Sequence, residues 1–337
     1  MGAGRTWRKG SRSVYDIIGD VHGHVEALQA LLLKLGYRER GGAWRHPTRT
    51  AIFVGDLIDG GPHQIETVRL VRGMVEAGAA RITLGNHEYN ALLWATPDPE
   101  RPGEFMRPHT PKNRGQHHLF LAAAGEGSEL HRECLRFFES FPLWLDLPGL
   151  NVVHACWHPA MQERLLPYLI DGALPRERLT DLSRKGTGTE EALETVLKGV
   201  EEKLPEPISF RDKYGDQRRE VRLQWWLEPG TTLRAAALIE EAKRDQLPET
   251  PLPTGVLLGS SSGTPCFFGH YWMKGEPVLM SPKAACVDWS VAAGGALVAY
   301  RFDGEPALSV DRFVAATRQA TCIQTGILAG SGRGWGV

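Results

Sequence analysis

The sequence lacks the signatures of several protein classes. It has five cysteines (Cys134, Cys156, Cys266, Cys286 and Cys322), an odd number with no CxxC pair. That usage excludes a disulfide scaffold and a zinc ribbon, and it predicts reduced, mostly buried thiols in a cytoplasmic protein. No apolar run reaches about 18 residues, so no membrane-spanning helix is expected. Net charge is −1 over 337 residues, which gives no global field to draw the chain to nucleic acid or to a membrane surface. There is no internal repeat and no low-complexity block. Residues 1–13 carry Arg5, Arg8, Lys9 and Arg12 without an apolar core, so they predict a disordered basic tail rather than a secretory signal. An apolar content of 42% is ordinary for a globular core, and the length suits one large or two modest domains.

One pattern recurs three times: Ile17-Ile18-Gly19-Asp20-Val21-His22-Gly23, Phe53-Val54-Gly55-Asp56-Leu57-Ile58-Asp59, and Thr83-Leu84-Gly85-Asn86-His87-Glu88. Each is a short apolar run, a glycine, then residues with oxygen or nitrogen ligands. Apolar runs of this kind read as buried strands of an α/β sheet. The glycine permits a sharp turn, so the polar residue sits at the carboxyl end of a strand, where open α/β sheets bind ligands. The three glycines are 36 and 30 residues apart, the spacing of strand–helix–strand units. If these strands are neighbours, Asp20, His22, Asp56 and Asn86 converge. Such hard and borderline donors suit Mn, Fe or Zn. A carboxylate shared between two ions roughly 3.5–4 Å apart supports displacement at phosphorus.

Along the chain, strands are expected at residues 14–19, 50–54 and 81–84, with amphipathic helices at 25–35 and 65–77. Residues 96–114, with five prolines, read as a long functional or disordered loop. Helices are expected at 113–124 and 130–141 and a strand pair at 143–147 and 150–154. From 160 to 252 the composition turns charged, and helices at 161–170, 190–202 and 231–244 form an expected helical insertion or lid. Strands return at 265–269, 284–288, 296–302 and 307–310. The chain thus divides into a tail (1–13), an N-terminal half (14–159), the insertion (160–252), a C-terminal β half (253–325) and a glycine-rich tail (326–337). The expected fold is an α/β sandwich of two sheets flanked by helices.

Two more histidines follow apolar runs, His154 after Leu150-Asn151-Val152-Val153 and His270 after Cys266-Phe267-Phe268-Gly269. Five strand ends bearing Asp-x-His, Asp, Asn, His and His are a metal-binding set. GDVHG (19–23), GDLIDGGP (55–62), GNHE (85–88), VHACWHP (153–159) and FFGH (267–270) together resemble the phosphoprotein phosphatase branch of the calcineurin-like metallophosphoesterases. The likeness is strongest to bacterial members related to diadenosine tetraphosphate hydrolases and serine/threonine phosphatases. The resemblance implies that Asp20 and His22 hold a first metal, Asp56 bridges, and Asn86, His154 and His270 hold a second. It makes His87 the proton donor to the leaving group, held by Asp59. The ions are two divalent metals, with Mn the first expectation and Fe, Zn, Co or Ni the others. Trp272 stands where the wider class often has a second histidine after the last ligand.

The chain departs from the family's GDxxDRG, because Gly60 follows Asp59 where an arginine normally grips the substrate phosphate. Arg107, Lys112, Arg114 and Arg222 are the candidate replacements. His158 is a candidate partner behind His154, and Asp288 in CVDWS matches a family position at the rim of the site. His109, His117 and His118 read as surface residues, and the Trp225–Trp226 pair as core. The expected function is hydrolysis of a phosphoester or phosphoanhydride by in-line attack of a metal-bridging hydroxide, on a nucleotide or other small substrate. A serine/threonine or tyrosine protein phosphatase is the first alternative. A metal-binding regulatory protein that has lost catalysis is the second.

Overall fold

The computed structural model describes residues 14–211, 217–257, 259 and 263–317. The two expected tails and Cys322 lie outside these residues.

The first half alternates strands and helices: β1 (Tyr15–Ile18), α1 (Val25–Leu35), a hairpin of β2 (Arg38–Arg40) and β3 (Ala43–Arg45), β4 (Thr50–Phe53), α2 (Gln64–Glu76) and β5 (Ala80–Ile82). Then come α3 (Asn86–Trp94), α4 (Pro111–Ala124), α5 (Glu129–Glu139), β6 (Trp144–Leu147) and β7 (Leu150–Val153). The cause is local. In α1 the apolar residues 25, 27, 28, 31, 32 and 35 share one buried face. Gly36, at φ 93°, ends the helix in a left-handed turn. Thr110 caps α4 by accepting from the Asn113 N–H, and Pro111 opens it, so the expected proline-rich loop turns helical three residues before its predicted end at 114.

The 160–252 segment follows α6 (Pro159–Leu165) with α7 (Leu179–Leu182), α8 (Gly188–Lys198), β8 (Glu201–Lys203), β9 (Phe210–Arg211), β10 (Gln217–Arg218), β11 (Glu220–Arg222), α9 (Leu233–Ala236) and α10 (Glu241–Arg244). It is mixed rather than helical. The expected helix at 231–244 splits because Leu238 N–H donates to Arg222 O at 2.8 Å and Ala237 bridges Leu223, an extended pairing that interrupts the turns. Leu204, Val221, Leu223, Leu233, Leu247 and neighbours form its own small core.

Beyond it come β12 (Cys266–Phe268), β13 (Ala284–Cys286), β14 (Asp288–Trp289), β15 (Ala296–Phe302) and β16 (Phe313–Ala316). The last strand lies at 313–316, not at the expected 307–310. One sheet runs β14-β15-β1-β4-β5, with β16 added to β15; the other runs β13-β12-β7-β6. The parallel set β1, β4, β5 is flanked by antiparallel β15, and β12 pairs in parallel with both β7 and β13.

The two sheets pack face to face. Ile17, Ile52, Val54, Val152, Phe267, Val287 and Tyr300 form the layer between them. The alternate residues Ile18, Phe53, Val153 and Phe268 face the helices. Period-2 alternation with both faces apolar is what a buried sheet requires. The four described cysteines are free and buried. Among the described residues no helix is long and apolar enough to cross a membrane.

A buried ion-pair network ties the first sheet together. Asp16 on β1 is fully buried and accepts from Arg49 Nε at 2.9 Å and Arg301 Nε at 3.1 Å. Arg49 also donates to the carbonyls of Tyr15 and Phe302 and pairs with Asp303. Removing Arg49 leaves the buried Asp16 with Arg301 as its remaining ion-pair partner and the carbonyls of Tyr15 and Phe302 without this donor. Arg49→Met should therefore lower stability by about 3 kcal/mol, read as a lower urea midpoint at unchanged slope. A wild-type midpoint would contradict this role.

Candidate active site

The carboxyl ends of β1, β4, β5, β7 and β12 meet at one point. His22, Asp56, Asp59 and His270 all have left-handed backbones, with φ of 47°, 52°, 64° and 73°. Strain of this kind in non-glycine residues collects at functional sites, held by surrounding structure. Close approach demands the glycines: a Cβ on Gly269 would overlap Asp20 Oδ1, and one on Gly55 would lie 2.5 Å from the backbone of Gly85.

Asp56 is the centre. Its Oδ2 faces three imidazole Nε2 atoms, those of His154 at 3.5 Å, His22 at 3.7 Å and His87 at 3.9 Å. Two groups able to hold a cation share it: His22–Asp56–His87 and Asp56–His154–His270. His22 Nδ1 is 2.7 Å from Ile58 O and His154 Nδ1 is 2.8 Å from Val54 O. These contacts fix the tautomers, with Nδ1–H donating to the carbonyls and Nε2 turned to the centre as an acceptor. Asn86 Oδ1, also an acceptor, lies 3.0 Å from His154 Nε2 and 2.6 Å from His270 Nδ1. Asp20 accepts from the His270 backbone N–H at 3.0 Å through Oδ2, while its Oδ1 is buried without a partner, as is His22 Nε2.

This donor set fits cations on its own chemistry. Acceptor atoms crowd together and some are orphaned in the interior, which is costly unless something positive lies among them. Four buried carboxylates, Asp20, Asp56, Glu88 and Asp288, stand in the same region. They are met by backbone N–H groups and imidazoles. Burial, then the charges of Asp288 and Asp56, push the Asp20 carboxyl well up. Burial and Asp56 raise Glu88 to about 8. Burial also raises Asp56, but the imidazoles of His154, His87 and His22 around it and the His87 backbone N–H outweigh that and leave the carboxyl below its usual range. His270 is held well below the usual imidazole range by burial and then by Arg222, His154, His87 and Lys198.

Beside this group, His87 Nδ1 is 2.9 Å from Asp59 Oδ2. Burial lowers His87, but Asp56 and Asp59 outweigh it and raise its pKa to about 9. His87 Nε2 falls within one of the two groups while its Nδ1 is paired with Asp59, and the partnerless Asp20 Oδ1 is buried in the same region.

The structure also adds residues that the motifs did not single out. His117, expected at the surface, is buried on α4 with Nδ1 2.9 Å from both Asp59 oxygens. Burial raises Asp59, but the hydrogen bonds from His117 and His87 prevail and hold its carboxyl far below the usual range. The spacing of His117, Phe120, Leu121 and Ala124 on one helix face was a signal for burial. Glu88 accepts from the N–H groups of Asp56 at 2.9 Å and Leu57 at 2.7 Å, and so shapes the loop that presents Asp56. Gln64 accepts from the Asp59 N–H at 2.8 Å.

Asp288 is beside the centre, accepting from Trp272 N at 2.7 Å and Ser290 N at 3.0 Å. Arg107 bonds Gln116 at 2.7 Å and, with Lys112, lines a 620 Å³ cleft along α3 and α4. Arg114 is not brought to the centre: it pairs with Glu126 at 2.9 Å over the Trp94 ring, 5.0 Å away. His158 sits at the N-terminus of α6 on the wall of a second, 690 Å³ cleft that also contains Arg222. His109 stacks between Trp94 and Phe105, His118 is exposed, and Trp225 and Trp226 are core residues.

The calcineurin-like phosphoesterase family matches residues 15–178. Residues 15–178 are a calcineurin-like phosphoesterase domain. A bis(5'-nucleosyl)-tetraphosphatase of Oceanobacillus iheyensis is 32% identical over 152 residues, 45% of this chain and 58% of that protein. One from Halalkalibacterium halodurans is 50% identical over 74 residues, 22% of this chain and 30% of that protein. The chain therefore spans about half of the first relative's length and less of the second. The solved structure of a cold-active protein tyrosine phosphatase shares the fold at a TM-score of 0.50 and 17% identity, over 91% of this chain and 79% of that one. The likeness of fold thus covers more of the chain than the 15–178 match does.

Cations that relieve this crowding should stabilise the fold. A ligand at 100 times its Kd contributes about 2.7 kcal/mol, so chelation of the purified protein should lower Tm by roughly 5–10 °C. Restoring Mn should reverse the fall. An unchanged Tm would show that the site holds no cation.

Proposed function

We propose that the chain is a dinuclear-metal phosphohydrolase acting on a nucleotide or other small phosphate substrate. The observation that carries this reading is Asp56 Oδ2, shared by two cation-holding groups and 3.9 Å from the His87 ring that Asp59 orients. Asp20 and His22 would hold one ion and Asn86, His154 and His270 the other, with Asp56 between them. The oxygen- and nitrogen-rich donor set suits Mn, and Fe, Zn, Co or Ni are compatible. When bound, such ions supply Lewis acidity at phosphoryl oxygens and lower the pKa of a water.

The remaining chemistry belongs to side chains. His87 keeps one proton on Nδ1 against Asp59 and offers the other, on Nε2, to the leaving-group oxygen. Asp59 stays anionic because His117 and His87 both hydrogen-bond it, and this fixes the ring that donates. Glu88 holds the turn at Asp56–Leu57 so that the shared carboxylate keeps its aim.

His87→Asn should lower kcat by roughly 10²–10⁴-fold with metal content unchanged. Full activity in that variant would remove His87 from the mechanism.

The nucleotide preference draws on the relatives named as bis(5'-nucleosyl)-tetraphosphatases. It is tested with Mn-loaded protein on p-nitrophenyl phosphate, its bis-ester, ATP, a phosphopeptide and a dinucleoside tetraphosphate. The highest kcat/KM is expected on the dinucleotide. Preference for the phosphopeptide would make the chain a protein phosphatase. No turnover with metal bound would leave a binding protein.

A further inference from the structure

Gly60 leaves no room for the arginine that the resemblance calls for. A Cβ there would lie 2.8 Å from His22 Cβ, 3.1 Å from His22 O and 3.2 Å from Ala292 Cβ. The loop after Asp59 has closed onto His22, so a positive side chain for the substrate's phosphoryl oxygens has to come from elsewhere.

The 160–252 segment is built onto the two loops that follow His154 and His270. Val196 O, near the end of α8, accepts from the N–H groups of Ala155 and Cys156, both at 3.2 Å. Trp225 Nε1 donates to Ala155 O at 2.9 Å. Trp226 packs on Phe268 and Tyr271, each with ring centroids 5.0 Å apart. This docking delivers two cations to one place. Lys198 is the last residue of α8, and Gly199 follows at φ 90°. A Cβ on Gly199 would be 2.5 Å from Tyr271 Oη and 3.4 Å from Arg222 Cδ. Gly199, Arg222 and Tyr271 are therefore packed together, and Lys198 and Arg222 line the same cleft.

Neither cation is spent. Arg222 gives Nη2 to Glu201 at 3.2 Å, while its Nε is buried with no partner. A guanidinium has five N–H donors in a planar fork that matches phosphoryl oxygens. Lys198 pairs with Glu194, the residue one turn before it, at 2.5 and 2.6 Å. These two pairs are about 30% exposed on the cation side, where ion pairs are weak enough to exchange partners. Arg107 by comparison is bonded to Gln116 in the other cleft, and Arg114 is turned away to Glu126.

We propose that Lys198 and Arg222 bind the phosphoryl oxygens of the substrate in place of the arginine missing at Gly60, with Glu194 and Glu201 holding them when no anion is bound. The anion's identity rests on the phosphohydrolase reading above. The position of the two cations does not.

The test uses the full chain loaded with Mn and inorganic phosphate as the probe, followed by calorimetry. Lys198→Met and Arg222→Met should each weaken phosphate binding about tenfold, and the double variant more, with metal content unchanged. Arg222→Lys, which keeps charge but loses the fork, should recover part of the affinity. It also carries the test if Arg222→Met fails to fold. Arg219→Met, at an exposed cation just before the strand of Arg222 and paired with Glu206, is the control and should bind phosphate as wild type does. On p-nitrophenyl phosphate the same variants should lose kcat/KM in parallel with phosphate affinity. Wild-type phosphate affinity in both Lys198→Met and Arg222→Lys would overturn the proposal, and so would a wild-type chain that binds no phosphate. Binding that depends on these cations without turnover of any ester would keep the subsite and remove the reaction instead.

Discussion

Negative charge without enough positive charge to meet it is the constraint on which this molecule turns. Asp20, Asp56, Glu88 and Asp288 are all buried at the joined tips of the sheets, and the groups that touch them are backbone N–H groups and imidazoles. Burying such groups uncompensated is expensive, and proteins answer by protonating them or by bringing in a cation. Here the acceptor atoms of Asp20, Asn86, His22 and His154 already point inward, with their tautomers set by carbonyls behind them. The proposed metal pair is the answer most consistent with that arrangement.

Keeping those atoms close has a structural cost, and the surrounding framework bears it. Four site residues adopt left-handed backbones, and strand-tip glycines allow main chains to approach where any Cβ would collide. The parallel β1-β4-β5 set and the β7-β12 pair are stiff because both faces of each sheet are packed. Asp59 is likewise over-determined, held by His87, His117 and Gln64 at once. A pre-organised proton donor requires such support from behind.

Much of this was legible in the sequence, for a physical reason. A strand end needs an apolar run, a glycine and a ligand-bearing residue in fixed order, so the local chain spells out each part of the site. The two sheets, the flanking helices and the convergence of Asp20, His22, Asp56, Asn86, His154 and His270 all follow from it. What escaped depends on long-range packing. His117 reaches Asp59 only because α4 packs on α2, whose leading loop carries Asp59, and nothing within its own stretch names that partner. Glu88 was visible as a motif letter, but its duty to the Asp56 and Leu57 N–H groups is tertiary. The 160–252 segment reads as helical in sequence because strands of two or three residues are too short to show a period. Arg114 was a reasonable cation by composition, yet Glu126 and Trp94 claim it.

The central claim is that Asp56 is shared between two cations. Counting metal ions per chain by elemental analysis, in wild type and in Asp56→Asn after equilibration with Mn, addresses it directly. The account predicts two ions in the wild type and at most one, weakly held, in the variant. A wild type that binds a single ion, or a variant that keeps both, would contradict it.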